Sequence, residues 1–399
     1  MKILHINTRC DKGGAATIAY NIHKYINKYT TNKSIFAFGR GIKKDENCFK
    51  IINNFHVNIS ASAHRFLGSS KSINNLYILE KLIIEADIIH IHNLHGYYIN
   101  YGALINIIVK QDKKVIWTLH DQWSMTGRCA FPFDCNKWIK GCYSCEHLNE
   151  YPKSYIDKSK RLWIEKNHHF NKLKKDKTII VTPSIWLKNE VKHSFMKEYN
   201  VISISNGIKN FNRNETKNNL RIKYKLPTDK KIILFVADSL KDKRKGIRYI
   251  LDIMNEFEEE VVFVSVGKNI EAKKNNFIQL GYISDKLSLY DIYNLSDVFI
   301  ISSIADNFPT TVLEAFMNKI PVIGFNVGGI SEQLDKNCGI LVNIGDKNSL
   351  KEGILKLLIN PKFAKVISEN GYNKFLNNYT EDIFMKKYLD LYNNFEKYI

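Results

Sequence analysis

Ser302-Ser303-Ile304-Ala305-Asp306-Asn307-Phe308-Pro309-Thr310-Thr311-Val312-Leu313-Glu314-Ala315-Phe316 follows an apolar run, Val298–Ile301, and leads into a helical pattern at Thr311–Met317. The order is strand, loop, helix. Asp306 sits at the strand exit and Glu314 about one turn into the helix, so both carboxylates can face one pocket. Backbone N–H groups between Phe308 and Thr311 lie at the helix N-terminus, where unpaired donors and the helix dipole favour an anion. Pro309 has no N–H to give. Carboxylates suit sugar hydroxyls, and exposed N–H groups suit phosphate. The plain alternative is a solvated helix start with a capping acid. A second such unit follows: strand Pro321–Gly324, then Gly328-Gly329 and a helix bearing Glu332.

The same alternation extends in both directions. KILHI at 2–6 reads as a buried strand, Asp11-Lys12-Gly13-Gly14 as a turn, and 15–28 as a helix. Strands are expected at 34–38, 88–92, 114–119 and 178–182. Helices are expected at 76–85, 102–110, 159–173 and 186–195. Around 203–230 the texture turns polar and rich in Asn and Lys, with a turn signal at Asn206-Gly207. The pattern then restarts with strands at 231–236, 261–266, 277–280, 298–301, 321–324 and 339–342. Strands alternating with helices imply parallel sheets. The expected fold is therefore α/β, with two doubly wound Rossmann-like domains facing across a cleft. The first domain covers 1–203 with an irregular Cys-rich insertion at 123–157, the second covers 204–378, and a helix at 379–399 returns to the first domain.

Composition narrows the function. The 399 residues are 44% hydrophobic and 25% charged, which excludes a mainly disordered chain. No run approaches the about 18 apolar residues of a spanning helix, and the N-terminus is too soon polar for a secretory leader. A cytoplasmic protein is expected. The net charge is +19, and residues 1–200 carry 31 basic against 16 acidic side chains. Such a basic half could face nucleic acid, anionic lipid or phosphorylated substrates, or could reflect only Lys-rich coding drift.

The ordered set of motifs resembles the E-x7-E signature of family-four glycosyltransferases of the GT-B fold. It comprises Asp306-x7-Glu314, Gly328-Gly329 with Glu332, Gly13-Gly14 after the first strand, Asn206-Gly207-Ile208 at the junction, and Lys245-Gly246. Trp117-Thr118-Leu119-His120-Asp121-Gln122-Trp123, with the Cys-rich insertion after it, looks similar to bacterial exopolysaccharide and lipopolysaccharide transferases of the colanic acid type. The resemblance implies a retaining transferase that moves a sugar from a nucleoside diphosphate donor to a lipid-linked or growing cell-surface glycan. It implies that Glu314 grips the nucleotide ribose. Asp306, one methylene shorter than the usual Glu, meets the donor sugar. Asn307, Phe308, Pro309, Thr310 and Thr311 line the sugar and diphosphate, with Gly13 and Gly14 letting a helix N-terminus approach the donor. Arg244 and Lys245 would offset the diphosphate charge. Leu240 stands where many relatives place an Arg. His120 would contact the transferring sugar, with Asp121 as a second polar group. No Asp-x-Asp occurs in the chain, so no catalytic metal is expected. The implied mechanism is front-face departure and attack, with the leaving phosphate taking the acceptor proton.

Other signals remain. Cys129, Cys135, Cys142 and Cys145 could close a structural zinc site; a reduced packed loop or redox pairing are the alternatives. His90, His92 and His95 form a cluster read as cleft-lining or structural. Basic residues Lys71, Lys81, Lys110, Lys113 and Lys114 would favour an anionic membrane surface, giving peripheral attachment to the inner face of the cytoplasmic membrane. A nucleotide-sugar epimerase or a phosphorylase on the same fold are competing readings, although no pyridoxal phosphate lysine is recognisable. A nucleic-acid binder is a third, with no signature beyond charge; nucleic acid is not expected as a partner.

Overall fold

The computed structural model describes residues 1–67, 76–211, 215–257, 259–272 and 274–399. The chain divides into two compact units, Met1–Ile204 with Met385–Ile399, and Ser205–Phe384. Lys71 lies outside the described residues.

The first unit is built on a seven-stranded sheet. Its strands are β1 (Lys2–Arg9), β2 (Lys33–Arg40), β3 (Cys48–Lys50), β4 (Ile88–Ile91), β5 (Lys114–Thr118), β6 (Thr178–Thr182) and β7 (Asn200–Ser203). They run in the order β3-β2-β1-β4-β5-β6-β7, with every pairing parallel. The second unit holds β8 (Lys231–Ser239), β9 (Val261–Lys268), β10 (Phe277–Gln279), β11 (Val298–Ile301), β12 (Val322–Phe325) and β13 (Ile340–Val342). Their order is β10-β9-β8-β11-β12-β13, again all parallel. Both are doubly wound sheets of the expected class. The strand order reverses between β1 and β4 in one unit and between β8 and β11 in the other. Ligands of such sheets bind outside the carboxyl ends at these switch points.

Helices cover both faces of each sheet, so the central strands are buried throughout: β4, β6, β11 and β12 expose no residue. The helix Gly14–Tyr29 shows how local pattern sets packing. Ala16, Ile18, Ala19, Ile22, His23 and Ile26 recur at three- and four-residue intervals and face the sheet.

Five elements escape the sequence pattern, among them the short helix Lys217–Lys223 inside the polar stretch between the two sheets. β3 and β7 are too short and mixed to stand out. The helix Pro361–Asn378 buries only Ile367, Ser368, Gly371 and Phe375. The helix Asn54–Leu67 buries Val57, Ser60, Ala61 and His64 while its large apolar side chains point outward, which inverts the usual signal. The C-terminal helix is shorter than expected, Glu381–Asn393, followed by a tight turn at Phe395–Tyr398.

The insertion after Trp123 contains one short 3-10 turn, Lys137–Ile139. Two buried cations hold it. The Arg128 guanidinium donates to the carbonyls of His147 (2.8 Å), Leu148 (3.2 Å) and Glu150 (3.2 Å). Lys166 Nζ donates to the carbonyls of Trp123 (2.6 Å) and Thr126 (3.1 Å), and lies 3.5 Å from the centre of the Trp123 ring. Each cation satisfies several carbonyls that an irregular buried loop leaves without ladder partners.

Candidate active site

In the second unit the exits of β8 and β11 are laced together. Ile304 N–H donates to Arg244 O (2.8 Å), and Ser302 Oγ donates to Lys245 O (2.9 Å). Gly246 lies between them at φ +70°, and a Cβ there would sit 1.9 Å from Ser302 O. Glycine alone fits this approach. The result places Lys245 Nζ 2.6 Å and Arg244 Nη1 3.2 Å from the same oxygen of Asp306. Arg244 Nη1 also donates to Ala305 O (2.9 Å). Leu240 is buried in the core beside this cluster, so a cation reaches the site from Arg244 instead.

The carboxylate expected to meet sugar is thus already engaged by the two cations expected to meet diphosphate. Burial would raise the Asp306 carboxyl, but Lys245 and Arg244 outweigh it and hold it below the ordinary range. Burial pulls the Lys245 ammonium down, and Asp306 opposes that shift. Glu314 is in the opposite state. Burial pushes its carboxyl up to about 7, with the Tyr293 hydroxyl, 2.9 Å from Oε2, as the main counterweight. Two acids eight residues apart therefore differ in charge near neutrality.

The helix Thr310–Met317 starts at Pro309 with no side-chain cap. Two carbonyls beside its first turn are held by side chains. Asn206 Nδ2 donates to Phe308 O (3.1 Å), and Gln333 Nε2 donates to Pro309 O (3.0 Å). This gives the Asn206-Gly207 pair a role its turn signal did not reveal. Gly207 is needed beside it, because a Cβ there would meet Phe384 Cβ at 2.5 Å. Asn307 is buried, and Gly329 N–H donates to Asp306 O (3.3 Å).

In the first unit, His120 follows β5 and joins a chain of imidazoles. His120 Nε2 is 3.1 Å from His92 Nδ1, and His92 Nε2 is 3.1 Å from His5 Nδ1. His90, in register with His5 on β4, is fixed by the hydroxyls of Tyr392 (2.6 Å) and Thr118 (2.8 Å). Burial lowers the His120 pKa to about 4, and drives those of His5, His90 and His92 well below the usual value. His120 is therefore a neutral hydrogen-bonding group at pH 7. His95 stands apart from the other histidines, paired with Asp121 (2.9 Å) and Tyr151 (3.1 Å). The sequence pattern showed His90 and His92 on one face of a strand; it missed His5, whose signal is a polar residue in the otherwise apolar KILHI run.

Gly13, at φ +98°, precedes the helix Gly14–Tyr29, which has no side-chain cap; a Cβ on Gly13 or Gly14 would meet nothing within 4 Å. The N-terminus of that helix is open.

The four clustered cysteines lie near one another in the insertion. Cys129 and Cys142 are buried, Cys135 and Cys145 partly so, and Cys142 Sγ accepts from Gly127 N–H at 3.1 Å. Among the described residues, three potential ligand atoms come within 4.8 Å of one another at His5, His90 and His92, and at His23, Asp45 and Cys48. The carbonyl ties of Arg128 and Lys166 hold the insertion around these cysteines.

Residues 216–374 match the sequence family described as glycosyl transferases group 1. Over 422 aligned residues the chain is 26% identical to the colanic acid biosynthesis glycosyl transferase WcaC of Escherichia coli K12, covering 99% of this chain and 100% of that one. It is 27% identical to the capsular polysaccharide biosynthesis glycosyltransferase CapM of Staphylococcus aureus, over 55% of this chain and 62% of that protein. Among solved structures, Anabaena HepE in complex with UDP-glucose superposes with a TM-score of 0.71 at 13% identity, covering 99% of this chain and 100% of that one. Sucrose-phosphate synthase of Thermosynechococcus elongatus gives 0.68 at 15% identity, with 99% and 98% covered. These structural matches establish the fold, GT-B.

Proposed function

We propose, from the premise that residues 216–374 make up a group 1 glycosyltransferase domain, that the protein moves a sugar from a nucleoside diphosphate donor to a growing or lipid-linked cell-surface glycan. The observation that carries this reading is the Asp306–Lys245–Arg244 cluster beside the uncapped helix start at Thr310, at the β8/β11 switch point. Lys245, Arg244 and the helix N–H groups offset the charge that grows on the diphosphate as the sugar–phosphate bond breaks. Asp306 positions both cations, and donor binding competes with it for them. Glu314 accepts from ribose hydroxyls. In a retaining front-face reaction, the bond from the anomeric carbon to the β-phosphate oxygen breaks. The acceptor oxygen then bonds that carbon from the same face, and its proton passes to the departing phosphate. His120 serves the acceptor side as a neutral hydrogen-bonding imidazole, held by His92 and His5. The names of the relatives, and the UDP-glucose bound by a protein of the same fold, support a nucleotide-sugar donor.

The test is thermal unfolding in a panel of UDP- and GDP-sugars. Donor at 100 times its Kd should add about 2.7 kcal/mol, raising the second unit's midpoint by about 5–10 °C. Retention on heparin with no shift from any nucleotide sugar would favour the nucleic-acid reading instead.

We also assign the membrane-facing surface to the helix Asn54–Leu67. Phe55, Ile59 and Phe66 are 69%, 38% and 60% exposed. At about 100° per residue they fall within about 40° of arc, opposite Val57, Ala61 and His64. Phe66 packs 5.2 Å from the Tyr155 ring, over which Lys153 lies at 5.0 Å. An apolar stripe flanked by cations fits an anionic bilayer. Lys81 and Lys110 are exposed, whereas Lys113 donates to the carbonyls of Ile84 and Ala86, and Lys114 pairs with Glu396. No described helix is long and apolar enough to cross a membrane. The triple variant Phe55→Ser/Ile59→Ser/Phe66→Ser should bind phosphatidylglycerol vesicles at least about 100-fold more weakly than wild type. Unchanged co-sedimentation would remove this assignment.

A further inference from the structure

Next to the His5 end of the histidine chain, where the His5 and His23 ring centres are 6.2 Å apart, a second group of ligating side chains converges from four pieces of chain. Cys10 is the first residue after β1. His23 lies on the helix Gly14–Tyr29. Asp45 comes from the loop between β2 and β3, and Cys48 opens β3. Cys10, His23 and Cys48 are buried, and the Asp45 carboxylate is 32% exposed.

The ligand atoms of His23, Asp45 and Cys48 all lie within 4.8 Å of one another. His23 Nε2 is 3.3 Å from Asp45 Oδ2. The Cys48 thiol lies beside Cys10, His23 and Asp45. One sulfur, one imidazole nitrogen and one carboxylate oxygen therefore converge, and the Cys10 thiol, which donates to Ile42 O at 3.2 Å, stands beside Cys48. The outer contacts have the form that metal ligands need. His23 Nδ1 is tied to Ser34 Oγ at 2.8 Å, which leaves Nε2 turned inward. Tyr20 O–H and Asn47 N–H donate to the two Asp45 oxygens at 2.8 and 2.9 Å.

We propose that Cys10, His23, Asp45 and Cys48 hold a structural zinc ion. The donor set is the soft-and-borderline tetrahedral mixture zinc prefers, with bonds of about 2.0–2.3 Å. Ligand atoms at that radius are separated by about 3.3–3.8 Å, so the three grouped atoms draw together from within 4.8 Å of one another and the Cys10 sulfur turns from Ile42 O to complete the set. Binding releases the two thiol protons to solvent. The ion clamps the start of β3 and the helix Gly14–Tyr29 to Cys10, and so fixes the short Cys10–Gly13 segment that ends at the open helix N-terminus. The inference does not depend on the transferase reading.

Metal analysis of the full chain purified without chelator tests it. Wild type and Cys142→Ser/Cys145→Ser should each carry one zinc per chain, and Cys10→Ala/Cys48→Ala less than a tenth of that. Cobalt substitution should show thiolate-to-metal charge transfer in the first two proteins and none in the third. Asp45→Asn changes the most exposed ligand and should leave the fold intact, while releasing zinc to a chromophoric chelator at least about 10-fold faster. Zinc-free wild type, a Cys10–Cys48 disulfide, or zinc that is lost with Cys142 and Cys145 but kept without Cys10 and Cys48 would each overturn the assignment.

Discussion

Lowering the pH from 7 to 5 should destabilise the first unit. His5, His90 and His92 are buried with pKa values well below the usual one, chiefly through burial. Unfolded, each binds a proton near its ordinary pKa of about 6.5; folded, burial holds each well below that value. The unfolded state therefore takes up protons that the native state refuses, and stability falls as pH drops below about 6.5. All three histidines act in the same direction, so the losses reinforce one another. Glu314 acts with the opposite sign in the second unit. Its folded pKa of about 7 lies above the ordinary carboxyl value, so acidification to pH 5 adds about 2 kcal/mol there. Hydrogen exchange read by mass spectrometry should show amides of Met1–Ile204 losing protection at pH 5 while those of Ser205–Phe384 keep it. Equal protection of both units at the two pH values would contradict the burial of the histidines.

These histidines also mark how far the sequence could be read. Alternating strands and helices announced two parallel sheets, because central parallel strands must be apolar on both faces and so form short runs such as Ile88–Ile91. The glycine turns and Asp306-x7-Glu314 announced where a phosphate and a sugar would sit. Partner choice was not legible. Spacing says that Asp306 and Glu314 share a region, but only packing shows one ion-paired and the other raised by burial against the opposing hydroxyl of a tyrosine 21 residues upstream. Asn206 looked like a turn residue because its work, holding Phe308 O, crosses about 100 residues of chain. Cysteine spacing favoured Cys129–Cys145 as a metal site, whereas Cys10 and Cys48 lie 38 residues apart and become neighbours only when β1, β2 and β3 align. The helix Asn54–Leu67 was hidden because its apolar stripe faces outward, so periodicity predicted the wrong burial.

Lys245→Met should lower kcat/KM by about a thousandfold, and the double variant Lys245→Met/Asp306→Asn should recover stability without recovering activity. The ammonium lies 2.6 Å from Asp306 in a buried setting, where a charge on the diphosphate is screened little by water. Losing one preorganised donor to a developing oxyanion typically costs about 10²–10³ in rate. Lost donor binding adds to this in kcat/KM. The single change also leaves the Asp306 carboxylate buried with only Arg244 to offset it. Breaking a buried pair in this way costs about 3–5 kcal/mol, so inactivity alone would not separate chemistry from damage. Converting Asp306 to Asn removes the stranded charge and keeps the shape, and the unfolding midpoint should return close to wild type. The paired comparison then isolates the chemical role. If the double variant regained turnover along with its stability, Lys245 would be a structural counter-ion only, and charge on the leaving diphosphate would have to be offset elsewhere. A stable, correctly folded double variant that binds nucleotide sugar weakly and turns over about a thousandfold slower, beside an Asp306→Asn single variant that keeps most of its turnover, would place Lys245 at the breaking bond.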